Sequence, residues 1–375
     1  MLIVSRVTYI LGAGASYGER KFDKDGNIIE FSRGLPVVNE LAYALSLLQQ
    51  GGTRKGVIVW QEEAKKQGIS LSAHERVRHM LSTLEKACIS YPTIDTLAKQ
   101  LFVTGRSFDA SPTDQISYDD LKRYLTTALL MLQDEKKRDL RYDGFIASLI
   151  NHQKQFPEMT ILSWNYDVQF EMAYSGYFTS ERYIPSLWKE LNVFNKKYPT
   201  EFNINAPFAM IKLNGTALFT DTSKNEWEVN GKKVNNITDC FYGVRDKLTP
   251  FQYGYEYLNH GNYENILSYA WEEDGLHLMR DIIRNRVIDT RELVVIGYSF
   301  PYVNNELDSF ILLNMPRLDK IVIQDEHFDD IKERVEGILA QTRRNVKIVP
   351  KKSLQQFYIP NRFDNPFAPI TFAVE

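Results

Sequence analysis

Val7-Thr8-Tyr9-Ile10-Leu11, followed by Gly12-Ala13-Gly14-Ala15-Ser16, is the stretch that decides the fold. A short β-type run that breaks at two glycines reads as a strand, a tight turn and the start of a helix. Glycines at 12 and 14 permit positive φ and close backbone approach to a ligand, and a helix N-terminus would offer free N–H groups to a pyrophosphate. A tight strand-to-helix turn with no ligand accounts for the same residues. The third glycine of a full dehydrogenase fingerprint is missing, and no acidic residue about 20 positions on falls on a second strand. Hydride transfer is therefore disfavoured.

The β-type pattern returns at 160–164, 209–213, 293–296 and 320–323, and a last strand near 345–349 would close an edge. Short apolar, β-branched runs separated by helical patterns predict an α/β fold with a parallel sheet buried on both faces, a Rossmann-like arrangement. Its core is assigned to about 1–40 and 156–350 of a single domain. The stretch 41–155 reads as an inserted helical subdomain. Val38, Leu41, Ala42, Leu45 and Leu48 form an apolar stripe that ends at Gly51-Gly52, and Leu121, Leu125, Ala128, Leu129 and Leu132 form another. Residues 220–265, rich in Asn, Gly, Tyr and Lys without firm periodicity, read as a loop-rich excursion over the end of the sheet.

Composition narrows the function classes. The 45 basic and 48 acidic residues give a formal net charge of −3, which offers no general attraction to nucleic acid or to anionic membranes. Cys88 and Cys240 lie far apart with no CxxC pair, so neither a disulfide framework nor a cysteine-rich zinc site is expected, and no metal is assigned. No apolar stretch approaches the ~20 residues needed to cross a bilayer. A cytoplasmic protein with reduced thiols is the expectation.

In a parallel sheet, ligands sit beyond the carboxyl ends of the strands. The residues expected there are Gly12 to Ser16, Asn165-Tyr166-Asp167, Asn214-Gly215-Thr216, Gly297-Tyr298-Ser299 and Gln324-Asp325. Asn165 and Asp167 straddle Tyr166 and would point to the same side of an extended end, where an amide and a carboxylate can hold a sugar hydroxyl, a carboxamide or a water. Both residues would equally cap the next helix. Thr216, and Gly297 with Ser299, also fit ordinary turn chemistry.

The ordered set GAGAS, WNYD, KLNG and GYSF, with a strand ending in Gln324-Asp325, resembles the sirtuin-like family, especially its bacterial NAD-consuming effectors of antiphage defence. The order spans most of the chain and matches the helical insertion and the 220–265 region only loosely. The resemblance implies NAD as ligand and substrate, cleaved to nicotinamide and ADP-ribose, with no metal. It places the pyrophosphate on Gly12, Ala13, Gly14, Ala15 and Ser16. Gly34-Leu35-Pro36 matches the family's flexible loop, which puts Pro36 over the nicotinamide ribose. Asn165 would orient that ribose or the attacking water, and Asp167 would recognise the carboxamide. Gly297 and Ser299 fall under the adenosine ribose and phosphate, and Gln324 and Asp325 in the adenine ribose pocket. Thr93-Ile94-Asp95, inside the insertion, looks like a short element of the bacterial branch. A homo-oligomer or a complex with a regulatory protein partner is implied, because depletion of NAD must be restrained.

Two departures bear on chemistry. Protein deacylases of the family carry a four-cysteine zinc module, so deacylation is not expected of a chain with two cysteines. The family's Lys-Leu-His-Gly element reads Lys212-Leu213-Asn214-Gly215, with an asparagine where the catalytic histidine stands. A neutral imidazole can take a proton from a ribose hydroxyl, whereas an amide cannot, and losing a general base typically costs about 10²–10⁴-fold in rate. Asn214 is then an introduced replacement, the mark of a natural NAD or ADP-ribose sensor without catalysis, or part of a slow hydrolase acting through Asn165 and an oriented water. The expectation carried forward is an NAD glycohydrolase silenced at Asn214.

Overall fold

The computed structural model describes residues 7–49, 71–111, 114–133, 137–151, 153, 155–178, 183–198, 200–229, 232–237, 258, 263–342 and 344–361. Gly51-Gly52, Cys240, His152 and His260 lie outside these residues. The predicted strands form as β1 (Val7–Leu11), β6 (Met159–Ser163), β8 (Phe208–Lys212), β12 (Glu292–Ile296), β13 (Lys320–Gln324) and β14 (Lys347–Pro350). With the three-residue β7 (Val193–Asn195) they make one seven-stranded sheet, ordered β14-β13-β12-β1-β6-β8-β7 and parallel at every pair.

Alternation along β1 shows why its residues are buried throughout, with the hydroxyl of Thr8 paired to that of Thr290 at 2.7 Å. Tyr9 and Leu11 join the core on one face with Ile161 and Val294, while Ile10 joins the core on the other with Leu162 and Val295. Successive side chains point to opposite faces, and helices cover both, so neither face can be polar. The Rossmann-like α/β arrangement expected from the sequence is thus present. The chain leaves β1 toward β6 and β8 on one side, then returns to β12 and β13 on the other. The β1/β12 junction is therefore the topological switch point.

The insertion holds α1 (Leu41–Gln49), α2 (Leu71–Ser90), α3 (Ile94–Thr104), α4 (Tyr118–Leu132) and α5 (Leu140–Leu149), with a small hairpin of β4 (Phe108–Ser111) and β5 (Asp114–Ile116). Local chemistry sets the helix limits. Thr93 caps α3 by accepting from the Thr96 N–H, Gly105 ends that helix in the left-handed region, and Ser117 with Asp120 forms a capping box on α4. Helices α1 to α4 share a third core, which Ala217, Leu267 and Tyr269 complete from outside the insertion, while α5 packs in the core on the Tyr9 face of the main sheet.

Between Ala217 and Leu267 lies the stretch 220–265 that the sequence led us to read as loop. Strands β9 (Gly215–Val229), β10 (Lys232–Ile237) and β11 (Tyr263–Leu267) instead form an antiparallel sheet ordered β10-β9-β11. Register shifts in both pairings break the alternation that would have marked them as strands. The helix expected after Ser16 is also replaced. A four-residue 3-10 turn, Ala13–Ser16, leads into a hairpin of β2 (Glu19–Phe22) and β3 (Ile28–Arg33). Among the described residues, no helix is long and apolar enough to cross a membrane.

One face of the sheet is covered by α6 (Gln169–Phe178) and α7 (Ile184–Glu190), the other by α8 (Leu276–Val287), α9 (Asn305–Leu313) and α10 (Phe328–Leu339). At the switch point Gly297 has φ +59, and a Cβ on it would lie 2.4 Å from both the Ala15 nitrogen and the Gly14 carbonyl carbon. Gly297→Ala is therefore expected to destabilise the fold by roughly 3 kcal/mol, combining left-handed strain with a backbone clash. Urea unfolding beside Gly337→Ala, a helical position with open space around the added methyl, provides the comparison.

Candidate functional site

The turn after β1 and the turn after β12 interlock. Gly12 N–H donates to the Ile296 carbonyl and Gly14 N–H to the Gly297 carbonyl, each at 3.0 Å, while Gly297 N–H donates to the Gln324 carbonyl at 3.2 Å. A Cβ on Gly12 would lie 2.4 Å from the Gly297 oxygen, and one on Gly14 2.7 Å from the Gly297 Cα. The close approach that requires these glycines is thus made to another backbone. Ala15 N–H is spent on the Gly12 carbonyl, so three of the amides expected to face a pyrophosphate, those of Gly12, Gly14 and Ala15, bond within the protein.

A cleft of about 1020 Å³ opens over this junction. Ala13, Gly14, Gly297, Ser299, Gln324 and Asp325 line it, which gathers residues from three strand ends as the sequence predicted. Asp325 accepts from its neighbour His327 N–H at 2.9 Å ahead of α10. Gln324 has a different use. Its Nε2 donates to the Ser353 and Gln356 carbonyls at 2.5 and 2.6 Å, and its Oε1 accepts from Tyr358 N–H at 2.9 Å, holding the C-terminal segment as a cleft wall.

The opposite wall comes from residues the sequence did not single out. Asp139, capping α5, accepts from Gly18 N–H at 2.8 Å and pairs with Arg141 at 2.6 Å. Arg141 also donates to the Gly14 carbonyl at 2.8 Å and the Leu354 carbonyl at 3.2 Å, clamping the glycine turn to the C-terminal segment. An aspartate preceding a helical run is a cap signal, but nothing local says which turn it will meet. The Gly34-Leu35-Pro36 loop is anchored as well: Gly34 N–H donates to the Lys137 carbonyl at 2.6 Å and Leu35 N–H to the Ser16 carbonyl at 2.7 Å.

Beneath the glycine turn, Ser16 joins two further predicted residues. Its hydroxyl donates to Asp167 Oδ2 at 2.7 Å and accepts from Asn165 Nδ2 at 3.1 Å. With its one hydrogen committed, Ser16 leaves Tyr142 as the donor in their 3.0 Å contact. Asp167 Oδ1 accepts from Gln169 N–H at 3.0 Å, so the capping role open at the sequence level is filled alongside the Ser16 bond. Burial raises the Asp167 carboxyl above its ordinary range, opposed by the charge of Lys212 and the Ser16 bond. Asn165 and Asp167 do not line the cleft but sit behind its glycine floor.

Lys212 is buried on β8. Its Nζ donates to the Asp167 main-chain oxygen at 2.9 Å and pairs with Glu171 at 2.9 Å, and Trp188 Nε1 donates to the same Glu171 oxygen at 3.0 Å. Asn214, two residues on, is directed elsewhere. Its Oδ1 accepts from Ala270 N–H at 2.9 Å and its main-chain oxygen from Ser268 N–H at 3.0 Å, tying the segment after β11 to the β8–β9 turn.

Tyr166 points away from its neighbours, as alternation requires, and its hydroxyl donates to Asp95 of α3. Burial pushes the Asp95 carboxyl up to about 6, against the lowering effect of that hydrogen bond. Comparison with protein-family models and with curated proteins finds no match for this chain.

Two stability predictions follow from these groups. Lys212→Met leaves Glu171 buried without its cation and is expected to cost about 3–5 kcal/mol in urea unfolding, partly recovered by adding Glu171→Leu. Asp95 binds its proton more tightly in the folded state, so its contribution is fully present below the ordinary value of 3.8 and lost as pH rises through about 6. Asp95→Asn should therefore lack a fall of up to roughly 3 kcal/mol that the native chain shows between pH 4 and 7. Equal pH slopes in the two proteins would contradict this.

Proposed function

We propose that this chain is a sirtuin-like NAD glycohydrolase of antiphage defence, binding NAD across the switch-point cleft and cleaving its nicotinamide–ribose bond. The observation that carries the reading is the convergence of the β1, β12 and β13 ends on one cleft of about 1020 Å³, with Ser16 joining its glycine floor to Asn165 and Asp167. The volume suits a dinucleotide, since pockets of about 300–1,000 Å³ hold drug-sized ligands. Gly297, Ser299 and Asp325 would meet the adenosine end, where a carboxylate can accept from ribose hydroxyls. With the Gly12, Gly14 and Ala15 amides spent, the pyrophosphate would rely on side chains and on the remaining main chain of the turn.

In the proposed reaction the bond from the ribose carbon to the nicotinamide nitrogen breaks, and its electron pair leaves with neutral nicotinamide. Water adds its oxygen to that carbon and releases a proton to solvent, giving ADP-ribose. Asn165 would orient the water or the ribose, and Asp167 the carboxamide. Both would have to exchange their Ser16 bonds for substrate. Asn214 offers no base, and its carbonyl is committed to Ala270.

That last contact also favours a second reading, an NAD or ADP-ribose sensor without catalysis, because residue 214 already serves the fold. Either role fits a cytoplasmic protein that acts as a homo-oligomer or with a regulatory protein partner.

Nicotinamide release from NAD by the native chain, Asn214→His and Asn214→His/Asn165→Ala, with calorimetric NAD binding for each, separates the readings. A glycohydrolase gains about 10²–10⁴-fold from histidine and loses that gain with Asn165→Ala. Binding without release in all three supports the sensor, and no binding in any rejects both.

A further inference from the structure

The sequence expectation gave Asp95 no task, and the proposed reaction does not use it. Yet it is a half-buried carboxylate carried by the inserted subdomain, and Tyr166, which donates to it, lies between the two residues assigned to the reacting end of NAD. We propose that Asp95 is a positioning residue of the cleaving site: by holding the Tyr166 hydroxyl it sets the rotation of the turn that presents Asn165 and Asp167. This rests on the glycohydrolase reading given above.

The turn is otherwise fixed through its main chain. Ala217 N–H donates to the Tyr166 carbonyl at 2.7 Å, Lys212 Nζ to the Asp167 carbonyl at 2.9 Å, and Val168 N–H to Gln133 Oε1 at 2.9 Å. These contacts locate the backbone, Ser16 and Gln169 hold the Asn165 and Asp167 side chains on one side, and the Tyr166 ring is the anchor on the other. Tyr166 lies opposite Asn165 and Asp167, so displacing its ring tilts both of them. Displacement of this kind, even by about 1 Å, can cost on the order of 10²-fold in rate.

The choice of residue supports a role beyond filling space. An Asn or Ser would accept from a tyrosine hydroxyl without burying an ionisable group, which is costly away from a cation. The groups that bear on Asp95 are the hydroxyls of Tyr166, Tyr269 and Tyr298, from three different segments, and Lys99, one turn along α3, lies over the Trp271 ring at 4.8 Å. With no cation set against it, the carboxyl titrates at about 6. The ionised form is the stronger acceptor, so the hold on Tyr166 tightens as pH rises through that value.

The test is steady-state nicotinamide release across pH 5 to 8 by Asp95→Ala, Tyr166→Phe and Asp95→Asn, made in whichever of the native chain and Asn214→His turns over, with folding checked by near-ultraviolet circular dichroism. Asp95→Ala and Tyr166→Phe are expected to lower kcat by about 10- to 100-fold with KM within about twofold, the mark of lost positioning in the transition state. Asp95→Asn, which keeps an acceptor for Tyr166, should recover most of kcat and lose the rise near pH 6. Folded Asp95→Ala and Tyr166→Phe proteins with kcat near the parent's overturn the proposal and leave the glycohydrolase reading intact, as does a change confined to KM. Absence of turnover in both parents overturns the glycohydrolase reading and this proposal together.

Discussion

Two peptide backbones cross at the centre of the sheet with too little room for a single methyl group, and the rest of the site hangs from that crossing. Gly12 and Gly14 on one side and Gly297 on the other bring their main chains to distances that any Cβ would violate. The contact replaces water on the Gly14 N–H with the Gly297 carbonyl, which satisfies a buried donor without a ligand. It also bends the chain into the 3-10 turn that carries Ser16 inward. A glycine turn of this sequence is usually explained by what binds to it. Here the fold itself accounts for the glycines, and a ligand is left the cleft above them.

Charge is used inside the molecule to fix chain segments against one another. Lys212 with Glu171 and Lys122 with Glu272 each join elements far apart in sequence, and Asp139 with Arg141 fixes the start of α5, with the paired side chains 0–16% exposed. Such pairs repay their desolvation only when further hydrogen bonds complete the shells. That condition holds for Glu272, which also accepts from Tyr118 and Ser268, and for Arg141, which also donates to three main-chain carbonyls. The energetic return of such pairs is modest, and their geometric return is large: an ion pair with a full set of partners tolerates little displacement.

What the sequence made legible follows from periodicity and what it hid follows from contact. Strands such as 293–296 were readable because a sheet buried on both faces needs unbroken apolar runs, and their ends then located Asn165, Asp167, Gly297 and Asp325 on one side of the sheet. Strand β7 is three residues long, too short to carry a pattern. The β2–β3 hairpin did have a signal, Asp25-Gly26 between Phe22 and Ile28, with Gly26 at φ +84, but it was masked by the expectation of a helix after the glycine turn. Asp139 and Arg141 were not legible at all as site residues, and Asp95 was visible only within Thr93-Ile94-Asp95, with no task attached. Each is a polar residue on a helix or at its cap, and only tertiary packing decides that these turn inward while dozens like them face water. Asn214 was read from its position in a motif, and its partner Ala270 lies across a sheet that the sequence did not reveal.

The inserted subdomain is therefore part of the site's construction. Its last segment reaches the turn after β6 at two consecutive points, where Gln133 accepts from Val168 N–H and Asp139 N–H donates to Gln169 Oε1. The same segment grips the glycine turn through Asp139 on Gly18 and Arg141 on Gly14. Both strand-end turns are thus held by one stretch of chain that belongs to neither strand. A shift of that stretch pulls on both turns, because it bonds the main chain or side chains of each at 2.7–2.9 Å. A helical insertion in this position can consequently act on the whole strand-end region as a unit, with α5 packed into the core of the main sheet and α1 to α4 in a core shared with the β9–β11 sheet.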